Sequence, residues 1–309
     1  MQLDELLDIY FSVRMLRPVT ERGYRATCRT FVSDTGVREL DELDEAVFIG
    51  WRKQVLARAC ETTWNSYRRN FRVWMKFAVK REFVSRNPIE DVAPATVSNL
   101  KKKTVNVASL SRVVAGLTES SCPVKNGWFW SICIKTLFYT GMRRRQLVGL
   151  CWKDIDFKRN LIHLVSATSK TKRTWEVPLD ARLYNDLMYL KKETIRVLGA
   201  RKNLSGRQTF CIQIFDDRNR FTNDRLKGDQ LTGILRKIGQ HYSIALSPHR
   251  LRHTFGTEVA NAMSQNEEVP FGIRALQHQL GHTNITTTLG YIEPKPEQQR
   301  KIVDSLKTI

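Results

Sequence analysis

The sequence predicts a mainly α-helical chain with a small antiparallel β-sheet, divided into two domains. Three observations carry this reading. Apolar residues recur three and four apart through most of the chain. The stretch "DVAPATVSNLKKKTV" at 91–105, with Pro94, small polar residues and three lysines, interrupts that pattern. Two β-branched or aromatic runs, "NLIHLVS" and "RTWEVPL", flank the basic tip "ATSKTK".

Leu3, Leu6, Leu7, Tyr10 and Phe11 lie at helical spacing, and Arg17-Pro18 ends that segment. A second helix carries Tyr24, Cys28, Phe31 and Val32, and a third fits "LDEAVFIGWRKQVLA", with Asp44 near its start. In the fourth, Trp64, Tyr67, Phe71, Trp74 and Ala78 follow a three-four repeat, while Arg68, Arg72 and Lys76 form a basic stripe. Such a stripe on an average helix is a solvated face; in a strongly basic chain it points to phosphate contact. Residues 1–92 therefore read as a helical domain and 93–104 as a basic linker bearing Lys101, Lys102 and Lys103.

The second domain, 105–309, opens with a helix near 108–118 and an apolar helix through "WFWSICIKTLFYT". The two alternating runs form a hairpin, with Lys170 and Lys172 near its tip. Residues 181–200 return to helix, and 201–229 are polar and irregular apart from a strand-like "TFCIQIF". Helices follow, interrupted by a loop expected around 260–274. "EPKP" then breaks the chain before an amphipathic tail helix near 297–309, with Ile302, Leu306 and Ile309 on one face.

Lys plus Arg number 51 against 31 Asp plus Glu in 309 residues, a formal charge of +20. A surplus of that size points to a polyanionic partner, nucleic acid first, through counterion release at phosphates. Two basic domains on a basic linker suit a clamp that closes around a duplex. No run approaches the roughly 18 apolar residues of a membrane helix, and the acidic "MQLDELLDIY" is no signal peptide, so no membrane partner is expected. Six cysteines without a CxxC pair read as reduced thiols of a cytoplasmic protein.

Four segments supply groups suited to a phosphodiester. "YTGMRRRQLVGL" holds Arg143, Arg144 and Arg145; the hairpin tip holds Lys170; "SPHRLRHTFG" holds His249 and Arg252, three apart on one helical face; "LGHTNITTTLGY" holds His282 and Tyr291. Planar guanidinium groups bind the equatorial oxygens of a phosphoryl group bidentately, and two of them form a clamp. Tyrosine, with a reference pKa of about 10, is a weak nucleophile unless its anion is stabilised, as neighbouring guanidinium groups and imidazoles do. Helical spacing leaves two arginines open: Arg143 shares a face with Leu147 and Leu150, Arg144 with Val148 and Cys151. His249 and His253, four apart, also invite a metal-ligand reading, but the position that HExxH chemistry gives to glutamate is Arg250.

Taken in order, these motifs resemble the tyrosine recombinase family of phage integrases and Xer-like enzymes. "TGMR" supplies Arg143 as the family's first arginine; Lys170, eight residues before Pro178, matches the hairpin lysine, with Lys172 its competitor; "HRLR" supplies His249 and Arg252; "LGH" supplies His282; Tyr291 takes the nucleophile's place. The resemblance implies a SAM-like N-terminal core-binding domain, a catalytic domain, and DNA strand exchange through a 3′-phosphotyrosyl bond. Lys170 would be the general acid. Neither a nucleotide cofactor nor a metal is implied. The implied partners are double-stranded DNA with a specific core site and further copies of the chain, two on a site and four in synapsis, with room for an accessory protein. The implied location is cytoplasmic, nucleoid-associated on DNA.

Arg145 and Lys172 would contact phosphates outside the site. With nothing but Met1 and Gln2 before Leu3, a lambda-type arm-binding domain is not expected. One departure stands out: Gln146 occupies the position where the family usually has an acidic residue. An inactive DNA-binding regulator of the same fold, a type IB-like topoisomerase and a metal-dependent nuclease are the competing readings.

Overall fold

A computed structural model describes residues 1–97, 103–164, 174–198, 211–216, 218, 220, 225–265 and 269–292. Lys101, Lys102, Lys170, Lys172 and the tail helix expected near 297–309 lie outside the described residues. The chain forms two compact units, Met1–Leu100 and Lys101–Ile309, so the division falls inside the predicted linker.

The first unit holds α1 (Leu3–Val13), α2 (Pro18–Thr35), α3 (Glu45–Arg58) and α4 (Glu61–Lys80). Pro18 opens α2 as its first residue, where its missing N–H costs nothing. The Asp44 side chain caps α3 by accepting from the Val47 N–H at 2.7 Å. Phe31, Phe48, Trp51, Trp64, Phe71 and Trp74 are all fully buried together. Trp51 packs edge-on to Phe31, Trp64 and Phe71. Truncating such a ring to alanine typically costs about 3–5 kcal/mol.

The linker starts later than the sequence suggests. Asn65 of α4 exchanges two 2.8 Å hydrogen bonds with the backbone of Ala95, and Trp64 Nε1 donates to the Ala93 carbonyl at 3.4 Å. Residues 93–95 are thus pinned to α4. At the far end, the Val105 N–H donates to Thr254 Oγ1 at 2.8 Å, within the second unit.

That unit holds α5 (Val107–Gly116), α6 (Gly127–Thr140), α7 (Arg144–Gly149), a 3-10 turn (Trp152–Asp154), β1 (Ile155–Asp156), β2 (Leu161–Leu164), β3 (Trp175–Pro178), α8 (Ala181–Leu198), α9 (Gly228–His241), α10 (Pro248–Gln265), α11 (Val269–Leu280) and α12 (Ile285–Leu289). The strands form one antiparallel sheet in the order β1-β2-β3, with Ile162 opposite Val177 and Leu164 opposite Trp175. Helix α6 is apolar nearly all round and packs against α8 and α10, which makes it the centre of the unit.

Three expectations change. β1 extends the predicted hairpin to three strands. "TFCIQIF" joins no strand of the sheet among its described residues; Cys211, Ile212 and Phe215 are buried, with the Cys211 N–H donating to the Leu150 carbonyl at 2.8 Å. The described residues of the loop expected at 260–274 are instead helical, shared between the end of α10 and the start of α11. Pro270 does not oppose this, because the first turn of a helix tolerates proline.

Candidate active site

Helix α10 sets the site. His249, Arg252, His253 and Gly256 fall at i, i+3, i+4 and i+7, and so face one way. Arg252 is 4% exposed; its Nη1 donates to the Gly141 carbonyl at 2.7 Å and its Nη2 to the Leu280 carbonyl at 2.6 Å. Gly141 ends α6 in the left-handed conformation, φ +63°, and a Cβ there would stand 2.4 Å from the Phe255 ring. Glycine is what lets the chain turn and present this carbonyl to the guanidinium.

Arg143 is placed by a different device from the one its spacing suggested. It is not inside a helix but is the extended residue that caps α7, with φ −76° and ψ 151°. Gln146 Oε1 accepts the Arg143 N–H at 2.8 Å, and Arg143 Nη2 donates to the Gly281 carbonyl at 3.1 Å. Arg144 turns to the start of α9, where its Nη1 meets the Gly228 carbonyl, Asp229 Oδ1 and Thr232 Oγ1 at 3.3, 3.0 and 2.8 Å. Arg145 is exposed.

Arg143, Gln146, His249 and Arg252 line one cleft of about 480 Å³, with Arg144 and Arg145 at its wall. Among the described residues no carboxylate pairs with Arg143 or Arg252. Burial pushes the Arg252 guanidinium down to about 10, with the charge of Arg143 adding to it, and burial lowers Arg143 likewise. Arg143 Nη1 and Gln146 Nε2 are buried donors with no acceptor among the described residues. Two uncompensated cations and two unsatisfied donors in one cleft form a site for an anion.

Tyr291 is 3% exposed. Burial raises its phenol above the ordinary tyrosine value, while the charges of Arg252 and Arg143 and a hydrogen bond to Arg252 pull it back. Its Oη also lies 3.0 Å from His253 Nδ1, and His253 Nε2 lies 2.8 Å from His249 Nε2. His282 Nε2 is 3.0 Å from Arg252 Nη2. Guanidinium only donates, so His282 accepts there and its Nδ1–H donates to Thr288 Oγ1 at 2.9 Å. The His282 and Tyr291 rings lie parallel, 6.1 Å apart.

Five of the six catalytic candidates, Arg143, His249, Arg252, His282 and Tyr291, thus gather within one unit; the sixth, Lys170, is outside the described residues. In the sequence His253 stands out only as a metal-type partner of His249. Its contact with Tyr291 spans 38 residues, and no local spacing signals it. Of the DNA-contact candidates, Lys76 and Lys103 are exposed. Arg68 instead donates to the Val92 and Glu90 carbonyls, and Arg72 pairs with the Glu90 carboxylate. Both tie the post-helix segment to α4, and neither side chain projects freely as a stripe would.

Comparison with known proteins bears on the family and the fold. The model of the phage integrase family matches residues 113–298, more than half of the chain. A Pseudomonas syringae protein named "Putative tyrosine recombinase XerC" is 28% identical over 98% of this chain, which spans 64% of that relative's length. The Tn1549 transposon integrase, solved in complex with a circular intermediate DNA, superposes with a TM-score of 0.76 at 19% identity, covering 99% of this chain and 100% of that one. A lambda integrase tetramer bound to a Holliday junction gives 0.69 at 14% identity, covering 95% of this chain and 78% of that one. The helical fold with its small sheet, the ordered arginine, histidine and tyrosine motifs and the family match lead to one conclusion: this chain belongs to the phage integrase family of tyrosine recombinases.

Proposed function

We propose that the protein is a site-specific DNA recombinase that cuts and rejoins strands through a 3′-phosphotyrosyl intermediate. The observation that carries this is the cleft itself, where the buried Arg252 and the half-buried Arg143, without carboxylate partners among the described residues, stand beside a buried tyrosine. Arg143 and Arg252 hold the equatorial oxygens of the scissile phosphate, and Gln146 Nε2 supplies a further donor. Electrostatic groups of this kind are typically worth about 10²–10³ in rate each. Tyr291 Oη attacks phosphorus, the bond to the 5′ oxygen breaks, and Lys170 gives that oxygen its proton. His282 acts through Arg252, holding its fork towards the phosphate.

The ester conserves the energy of the broken bond, so rejoining to the 5′ hydroxyl of a partner strand needs no nucleotide cofactor. The positive charge comes from arginines, and the reading uses no metal. The substrate is duplex DNA carrying a specific core site, at the ends of a mobile element or in a replicon. Two copies occupy a site and four form the synaptic assembly, a reading supported by the DNA-bound integrases the chain resembles. No helix among the described residues is long and apolar enough to cross a membrane. The protein works in the cytoplasm on the nucleoid.

The test is a nicked suicide duplex carrying a site selected from a randomised pool, incubated with chelator. The expected product is a covalent protein–DNA adduct that Tyr291→Phe abolishes. Binding without an adduct identifies a regulator, and cleavage lost to chelator a nuclease. Exchange between two duplexes separates recombinase from topoisomerase.

A further inference from the structure

The structure assigns a further catalytic residue: we infer that His253 takes the proton of the Tyr291 hydroxyl and passes one to His249. This rests on the recombinase reading and adds the group that frees the nucleophile.

Tyr291 is almost wholly buried, His253 is half-buried and His249 is exposed. Their polar atoms are joined in that order, Tyr291 Oη to His253 Nδ1 at 3.0 Å and His253 Nε2 to His249 Nε2 at 2.8 Å. Both distances are within the reach required of a proton donor and its base. The chain of contacts therefore runs from the interior to solvent. A phenol this buried has no direct route to bulk water, and its ring is held away from ionisation by burial.

The two nitrogen–nitrogen and nitrogen–oxygen contacts restrict where protons sit. In the resting state the phenol donates to His253 Nδ1, and His253 Nε2–H donates to His249 Nε2. As Tyr291 Oη bonds to phosphorus, its proton moves to His253 Nδ1 while the Nε2 proton moves to His249. His253 ends neutral with its tautomer exchanged, and His249 ends as an imidazolium able to release its proton to water. The bond to the 5′ oxygen breaks, and that oxygen is protonated separately by Lys170. Religation runs the path backwards and returns the proton to Tyr291.

The probe is the selected duplex with sulfur replacing the 5′ bridging oxygen at the cleaved phosphate. A thiolate leaves without a proton, so the rate reports the nucleophile alone. His253→Asn keeps an acceptor for the Tyr291 hydroxyl but takes up no proton. We expect adduct formation to slow about 10²–10⁴-fold. The wild-type rate should level off once the imidazoles are neutral, whereas the variant's should keep rising with hydroxide. A variant with the wild-type rate and pH profile overturns the assignment. If the wild type itself forms no adduct, the recombinase reading fails instead. The ¹⁵N shifts of His253 in the DNA-free chain then decide the contact: a change at Nδ1 in Tyr291→Phe supports it, and no change overturns it.

Discussion

Arg143 and Arg144, adjacent in the chain, send their guanidinium groups to different partners: Arg143 Nη2 to the Gly281 carbonyl, and Arg144 Nη1 to Gly228, Asp229 and Thr232 at the start of α9. The divergence comes from the cap. Arg143 is extended and Arg144 is the first helical residue, so their side chains leave the backbone in different directions.

Arg143→Ala should therefore lower the adduct-forming rate by about 10²–10³ while leaving DNA binding nearly intact. Arg144→Ala loses an ion pair with a largely exposed carboxylate and two hydrogen bonds; its effect should fall on stability, by about 1 kcal/mol. Single-turnover cleavage and thermal unfolding of the two variants separate the roles. Loss of cleavage in Arg144→Ala alone would reverse the assignment.

Gln146 divides its amide between two tasks. Oε1 caps the Arg143 N–H, and Nε2 is buried without an acceptor among the described residues, in a residue that lines the cleft. Gln146→Glu keeps the cap but replaces the donor with a second carboxylate oxygen beside the anion site. Protection of the protein by inorganic sulfate, measured as a rise in unfolding temperature, should weaken, with affinity falling about tenfold for each 1.4 kcal/mol lost. Unchanged or stronger sulfate protection would place Nε2 outside the anion site.

How far this site could be read from sequence depended on distance along the chain. His249 and Arg252 share one helical turn, so their spacing was enough. Arg143 against Arg144 was not decided by spacing at all, because both fitted an apolar face; the "TGMR" motif chose, and the reason is a cap that periodicity does not encode. Arg68 and Arg72 looked like a free basic stripe because their acceptors lie 18 to 24 residues further on, in the segment 90–92. The same long-range pairing, between Asn65 and Ala95, holds the start of the predicted linker to α4. β1 was missed because two residues cannot display an alternating pattern.

Gly256 marks where Tyr291 reaches α10. A Cβ built there would stand 2.6 to 2.9 Å from the Tyr291 ring. In a helix interior Gly→Ala alone is favourable by about 1 kcal/mol, so the gain in propensity offsets part of the crowding. The ring must shift, and a displacement near 1 Å at a reacting group costs about 10²-fold in rate. Gly256→Ala should thus unfold close to the wild-type temperature yet form adduct about 10²-fold more slowly. A full rate would mean that Tyr291 reacts from a different position.

The last prediction concerns pH and the N-terminal unit alone. Asp34 Oδ2 accepts from Arg58 and, at 2.8 Å, from Trp51 Nε1, with only a tenth of its side chain exposed. The hydrogen bond from Arg58 first, and that from Trp51 next, hold its carboxyl below the 3.8 of a free aspartate. A depressed folded-state value means that the unfolded chain binds the proton more readily. The contribution is therefore complete above pH 3.8 and is lost as pH falls through the folded value. Asp34→Asn removes the charge but retains an acceptor for Trp51. Near neutral pH it should be less stable by about 1.5–3 kcal/mol, the usual worth of a hydrogen bond to a charged group. Followed by thermal unfolding from about pH 5 to about pH 2, the gap between wild type and variant should narrow towards zero. A gap independent of pH would assign the stability to packing around Trp51 and not to the carboxylate.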